Sequence, residues 1–216
     1  MRFDVITIFP HIFDSYLGES LFRRAIQSGV VDVRIHDLRK YSADKKHRKV
    51  DDKPFGGGPG MVLQVEPIWK AVQSLAKGKS QRTKGRTRTI LFSTRGKKLD
   101  AKTAKRLSRY DRLILICGRY EGVDERVGRY VANEELSVGD YVLSGGEIPA
   151  LAVMEAVSRF MPGFLGKYSS LEDVKGSYPV YTRPETFTPK RGTRWSVPKE
   201  LMSGDHKRIA AWRKRT

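Results

Sequence analysis

Three segments place glycine and polar residues beside apolar, strand-like runs. "STRGK" follows "ILF", "GRYEGVDERV" follows "LILIC", and "SVGDYVLSGGEIP" continues a further strand-like region. In open α/β sheets, ligands gather beyond the carboxyl ends of the strands. Glycine there lets a ligand approach bare backbone, so several N–H and C=O groups can converge on one pocket. Such a pocket suits a flat, polar, uncharged group such as adenine. Taken singly, each segment also reads as an ordinary turn between a strand and a helix. The three together in one domain point to a ligand cleft.

Other chemistries find little support. The sequence has no G-x-G-x-x-G and no G-x-x-x-x-G-K-[ST], so the dinucleotide and P-loop patterns are missing. The run "GGGPG" lacks a following Lys-Ser/Thr. His11, His36, His47 and His206 show no metal spacing, and no G-x-S-x-G elbow occurs. The single cysteine, Cys117, excludes an internal disulfide and a cysteine-based zinc cluster.

The elements that must hold the three segments follow from periodicity. "FDVITIF" (residues 3–9) is rich in β-branched and aromatic residues and reads as a strand. "SYLGESLFRRAIQSG" places Leu17, Leu21, Phe22, Ala25 and Ile26 on one helical face, with Gly29 as its stop. "VVDVRIHDL" alternates as a half-buried strand. This β-α-β opening predicts an α/β layered domain. A long charged loop ends in "GGGPGM", and a helix is expected over residues 61–76 after Pro67. "TILFST" and "RLILICG" read as buried strands around a basic helix, another parallel crossover. "GEIPALAVMEAVSRF" reads as a helix with Pro149 in its first turn. Residues 77–88, "KGKSQRTKGRTR", carry six basic side chains and no acid, and read as a flexible basic excursion suited to phosphate contacts. Past "MPGFLG" the texture turns polar and aperiodic. The expected division is a domain over 1–165, a linker over 166–181 and a short basic domain over 182–216. "SGDHKRIAAWRKR" reads as the basic helix of that last part. No internal repeat is present.

Charge bounds the partner. Lys+Arg 42 against Asp+Glu 24 gives a formal net charge of +18. Such a surface attracts polyanions, nucleic acid first and an anionic membrane second. No apolar run approaches the roughly 20 residues of a membrane helix. The short, Asp4-interrupted N-terminal run does not read as a signal peptide. A reduced, cytoplasmic protein with no membrane partner is expected.

"FPHIFDSYLGESLFRRAIQSG", "VDDKPFGGGPGM", "LICGRYEGVDERV", "SVGDYVLSGGEIPAL", "SRFMPGFLG", "YTRPE" and "LMSGDHKRIAAWR" together resemble the bacterial tRNA (guanine-37-N1)-methyltransferases. These belong to the SPOUT class of knotted, S-adenosylmethionine-dependent methyltransferases. The matches are colinear and run from Met1 to Arg213. The resemblance implies an α/β parallel-sheet domain whose chain passes through a deep trefoil knot between residues 91 and 146. It also implies a small, mainly helical, tRNA-binding C-terminal domain. It assigns S-adenosylmethionine to Leu91, Phe92, Ser93, Gly118, Tyr120, Glu121, Ser137, Val138, Gly139, Tyr141, Leu143, Gly145, Gly146 and Pro149. It gives the catalytic roles to Arg159 and to an aspartate of the linker, for which Asp173 is the match and Glu172 the fallback. It further implies a homodimer whose site uses both subunits, tRNA with guanosine at position 37 as substrate, and a magnesium requirement for which no ligands are legible. The family's usual proline after the cofactor serine is Thr94 here, its tyrosine is Leu91, and the Ser-Phe pair of its linker is missing. Two other readings stand beside this one. They are a related knotted enzyme acting on a ribose 2′-hydroxyl or another base, and a basic RNA-binding protein with an empty cleft.

Overall fold

A computed structural model describes residues 1–77, 85–166 and 178–215. Five strands form one all-parallel sheet: β1 (Arg2–Thr7), β2 (Asp32–Asp37), β5 (Thr87–Lys98), β6 (Arg112–Ile116) and β7 (Glu134–Ser137), in the order β2-β1-β6-β5-β7. Two short strands, β3 (Asp51–Asp52) and β4 (Val62–Leu63), pair antiparallel outside it. The apolar runs predicted as buried strands are buried on both faces. On one face Phe3, Val5, Ile90, Leu113 and Leu115 pack with Phe22, Leu107, Val153 and Val157. Those partners lie on α2 (Ser20–Gln27), α4 (Ala101–Leu107) and α6 (Glu147–Ser158). On the other face Ile6, Leu91, Ile114 and Ile116 pack with Ile68, Ala71 and Val127. These belong to α3 (Val65–Lys77) and α5 (Glu125–Tyr130). Coverage on both faces is why the strands read as continuous apolar runs rather than alternating ones.

Three boundaries differ from the sequence expectation. The first predicted helix is split into α1 (Asp14–Leu17) and α2, because Glu19 is extended and Ser20 enters α2 with a left-handed φ of 48°. Helix α3 begins at Val65, so Pro67 lies inside its first turn, where a missing N–H has no partner to lose. The basic excursion is shorter than residues 77–88. Lys77 closes α3, and strand β5 begins at Thr87. Arg88 is ion-paired to Glu134 at 2.8 Å, and the Arg86 guanidinium stands over the Tyr110 ring. Those two cations serve the fold. Residues 78–84 lie outside the described residues.

Strand β5 also runs past its predicted end. Leu136 of β7 is partnered by Phe92 on one edge and by Lys97 on the other, and Leu99 N–H donates to the Ser137 carbonyl at 2.8 Å. The chain between Phe92 and Lys97 therefore passes around β7. Gly96 makes that passage possible, since a Cβ there would lie 2.6 Å from the backbone of Glu135 and Leu136.

The acid that interrupts the first apolar run has a structural use. Asp4 is fully buried and accepts from Arg112 Nε at 2.6 Å and Arg2 Nη2 at 2.8 Å, with His36 Nε2 at 2.6 Å. Burial by itself would raise its pKa, but the hydrogen bonds from His36, Arg2 and Arg112 outweigh burial and hold it at about 2. The unfolded value is about 3.9. A depressed carboxylate contributes stability above its unfolded value, and the contribution is lost as pH falls through the folded value. Asp4→Asn is expected to destabilise by about 3–5 kcal/mol, leaving Arg112 without its anion. Urea unfolding of the variant should also show a flatter loss of stability between about pH 4 and 2. Equal acid sensitivity in the two proteins would contradict the assignment.

The chain divides into two compact units, Met1–Lys167 and Tyr168–Thr216. In the second, strands β8 (Thr186–Phe187) and β9 (Trp195–Ser196) pair antiparallel, followed by helices Lys199–Met202 and His206–Arg215. Asp205 caps the last helix by accepting from Lys207 N–H at 2.8 Å. Among the described residues no helix is long and apolar enough to cross a membrane.

Candidate active site

Strands β6, β5 and β7 are neighbours in the sheet, so the loops at their carboxyl ends meet. They enclose a cavity of about 390 Å³. All of the expected cofactor positions except Gly139 line it: Leu91, Phe92 and Ser93 from β5, Gly118, Tyr120 and Glu121 after β6, and Ser137, Val138, Tyr141, Leu143, Gly145, Gly146 and Pro149 from β7 onward. Gly139 lies behind the wall, under the Tyr141 ring, where a Cβ would strike that ring. It shapes the turn instead. Ser137 Oγ donates to the Gly139 carbonyl at 2.9 Å, and Tyr141 Oη donates to the Val138 carbonyl at 3.2 Å.

One buried carboxylate joins two walls of the cavity. Glu147, in the first turn of α6, is almost completely buried. It accepts from Thr7 Oγ1 at 2.6 Å and from Arg119 Nε at 2.8 Å. The Arg119 guanidinium also lies 4.7 Å from the centre of the Phe9 ring. Arg119 and Gly145 form an isolated antiparallel bridge, and Gly146 N–H donates to the Gly118 carbonyl at 2.9 Å. The backbones are so close that a Cβ on Gly146 would lie 2.6 Å from Cys117 Cα. Burial, followed by the Glu147 charge, pushes the Cys117 thiol well above its ordinary value. That thiol is packing, not a nucleophile.

The sequence reading missed several lining groups. Arg95 is ion-paired with Glu125 at 2.6 Å on the cavity rim, and this contact holds Glu125 below the usual carboxylate range. Glu135 packs on Gly128, whose Cβ would lie 2.5 Å from the Glu135 carboxylate. The signal available was Gly128 itself, a glycine inside a helix, which costs about 1 kcal/mol relative to alanine unless something needs the space. The glycine run before Met61 packs behind one lining residue, Glu121. Gly60 has φ +76° and abuts Glu121, whose N–H donates to the Met61 carbonyl at 3.1 Å.

Of the two expected catalytic residues, Arg159 stands apart from this cavity. Arg159 caps the far end of α6, with Nη1 3.8 Å from Glu155 Oε1. Ten residues of helix separate it from Pro149, about 15 Å along the axis. Asp173 and its fallback Glu172 lie outside the described residues. Among the described residues no group of three or more His, Cys, Asp or Glu could hold a metal ion.

Fold and cavity define a class: a parallel-sheet α/β protein with a ligand cleft at the carboxyl ends of three adjacent strands. The family model described as tRNA (Guanine-1)-methyltransferase TrmD matches residues 1–216, and the chain belongs to that family of methyltransferases. A tRNA (guanine-N(1)-)-methyltransferase of Rhodopirellula baltica is 47% identical over 220 residues, covering 99% of this chain and 87% of the relative. The protein of that name from Geobacter sulfurreducens is 45% identical, covering 99% and 85%. The crystal structure of a tRNA (m1G37) methyltransferase from Aquifex aeolicus superposes with a TM-score of 0.80 at 43% identity, covering 98% of this chain and 87% of that one. The fold is thus of the SPOUT type expected from sequence. The wrap of β5 around β7 falls within residues 91–146, the stretch expected to carry the knot.

Proposed function

We propose that this chain transfers a methyl group from S-adenosylmethionine to N1 of guanosine 37 in tRNA. The observation that carries the reading is the convergence of the three loops on one cleft. Its donor set fits the methyl donor. Leu91, Phe92, Val138 and Leu143 offer apolar walls to a flat base, and the backbone of residues 118–121 and 138–145 offers hydrogen bonds to its edge. Glu121 and Glu135 offer carboxylates to the cationic end. When bound, S-adenosylmethionine supplies an electrophilic methyl group on a sulfonium that departs as a neutral thioether.

The chain's residues then have two tasks. Guanine N1 carries a proton and is a poor nucleophile until it is removed. Asp173 accepts that proton as the N1–carbon bond forms and the carbon–sulfur bond breaks. Arg159 faces the charge that develops on guanine O6. Because Arg159 lies at the opposite end of α6 from the cleft of its own chain, this role favours a homodimer in which it serves a partner's cleft. The target base must leave the anticodon-loop stack, at a cost of about a few kcal/mol.

The test is transfer of labelled methyl from S-adenosylmethionine to unmodified tRNA transcripts carrying guanosine or adenosine at position 37, followed by nucleoside analysis. The expected product is 1-methylguanosine, in the guanosine transcript alone. Label in the ribose, in another base or in both transcripts would overturn the reading.

A further inference from the structure

We propose that the hairpin of the C-terminal unit, Phe187–Trp195, is a stacking site for an unpaired nucleotide of the RNA substrate. This rests on the tRNA reading above and names where single-stranded RNA is held. Phe187 and Trp195 are direct cross-strand partners, with ring centroids 5.7 Å apart and planes at 47°. Such a pair can serve simply as a staple, contributing about 0.2–1 kcal/mol to the hairpin. A staple has no need to leave its rings open, yet Phe187 is 51% and Trp195 63% exposed. The opposite face is polar, where Thr186 Oγ1 and Ser196 Oγ meet at 3.1 Å.

The turn joining the strands carries the second half of the site. It reads "TPKRGTR", with Lys190, Arg191 and Arg194 and no acid. Thr193 N–H donates to the Lys190 carbonyl at 3.1 Å, and Gly192 takes a φ of +80° that tightens the turn. None of the three cations has an ion pair among the described residues. By contrast, Arg88, Arg112 and Arg119 are each held by a carboxylate. Open aromatic faces flanked by unpaired cations are how proteins hold single-stranded nucleic acid, with bases on the rings and phosphates on the charges. The charge favours an anionic partner, and the open rings favour RNA whose bases are unstacked. A duplex hides its base faces.

The test uses the full chain without methyl donor, so that a failure of the methylation reading does not decide it. Binding of a 17-nucleotide single-stranded RNA, a duplex of the same charge and a tRNA transcript is measured against salt concentration. Trp195→Ala is expected to weaken the single strand and the tRNA by about tenfold, and the duplex by less than about twofold. Trp195→Phe keeps a stacking face and should restore most of the loss, separating stacking from damage to the hairpin. Neutralising Lys190, Arg191 and Arg194 together should reduce the slope of log affinity against log salt by about 2. Unchanged single-strand affinity in Trp195→Ala would overturn the proposal. So would equal weakening of the duplex, or failure of Trp195→Phe to recover.

Discussion

Asp173→Ala is expected to lower kcat by about 10²–10⁴-fold while leaving S-adenosylmethionine affinity within about twofold. The split follows from the proposed chemistry. The cleft proposed to hold the donor is lined, among the described residues, by residues 91–149. The base acts only on the N1 proton of guanine, so its removal acts on the transition state and spares donor binding. The lost proton acceptor also predicts a pH signature. Activity of the parent should fall as pH drops through the carboxylate's titration, and the residual activity of Asp173→Ala should rise with pH as N1 loses its proton to water. Glu172→Ala is the control, with turnover within about threefold of the parent. Donor binding is measured by calorimetry and turnover by methyl transfer. The reverse pattern would move the base to Glu172. Parent-like turnover in both variants would remove the linker from the chemistry.

The sequence exposes much of the fold and less of the site, for physical reasons visible at particular residues. Ile90, Leu113, Leu115 and Ile116 are buried on the sheet's faces, and burial of that kind leaves unbroken apolar runs that can be read without a structure. The α6 boundary was legible because Pro149 belongs in a first turn. The passage of β5 around β7 was not, because Gly96 and Leu136 lie 40 positions apart in the numbering and nothing local records their contact. Arg95, Glu125 and Glu135 look like ordinary solvated charges, and only the meeting of β5, the start of α5 and β7 turns them into cavity rim. Asp4 looked like an interruption of a strand, and two arginines and His36 from other positions make it a buried anchor of the sheet. Arg86 and Arg88 show the opposite error. Composition grouped them with free surface charge, while Tyr110 and Glu134 hold them in place. The general difference is between local periodicity, which a sequence carries, and pairings across the fold, which it does not.

Arg159→Ala is expected to lower kcat by about 10²–10³-fold, the size found when a donor to a developing oxyanion is removed. Methyl-donor affinity should be unaffected, because the proposed partner of the guanidinium is guanine O6 and not the methyl donor. The placement of Arg159 makes a sharper experiment available. Gly146→Val should abolish donor binding in its own chain, since even the first added carbon would lie 2.6 Å from Cys117 Cα and 3.0 Å from Gly118 N. Each variant alone is then inactive, one for want of a donor site and one for want of a cation at O6. If α6 carries Arg159 to a partner's cleft, a mixed dimer holds one complete site. It has the intact cleft of the Arg159→Ala chain and the arginine of the Gly146→Val chain. Mixing the two variants under exchange conditions should therefore restore activity, up to about one quarter of the parent's at equal amounts, if chains pair at random. If Arg159 instead served its own chain, no combination would place an intact cleft and an intact arginine together, and the mixture would remain as inactive as its components. Recovery on mixing would locate the catalytic arginine and define the subunit arrangement in one measurement, with the Gly146→Val chain checked for a folded far-ultraviolet spectrum beforehand.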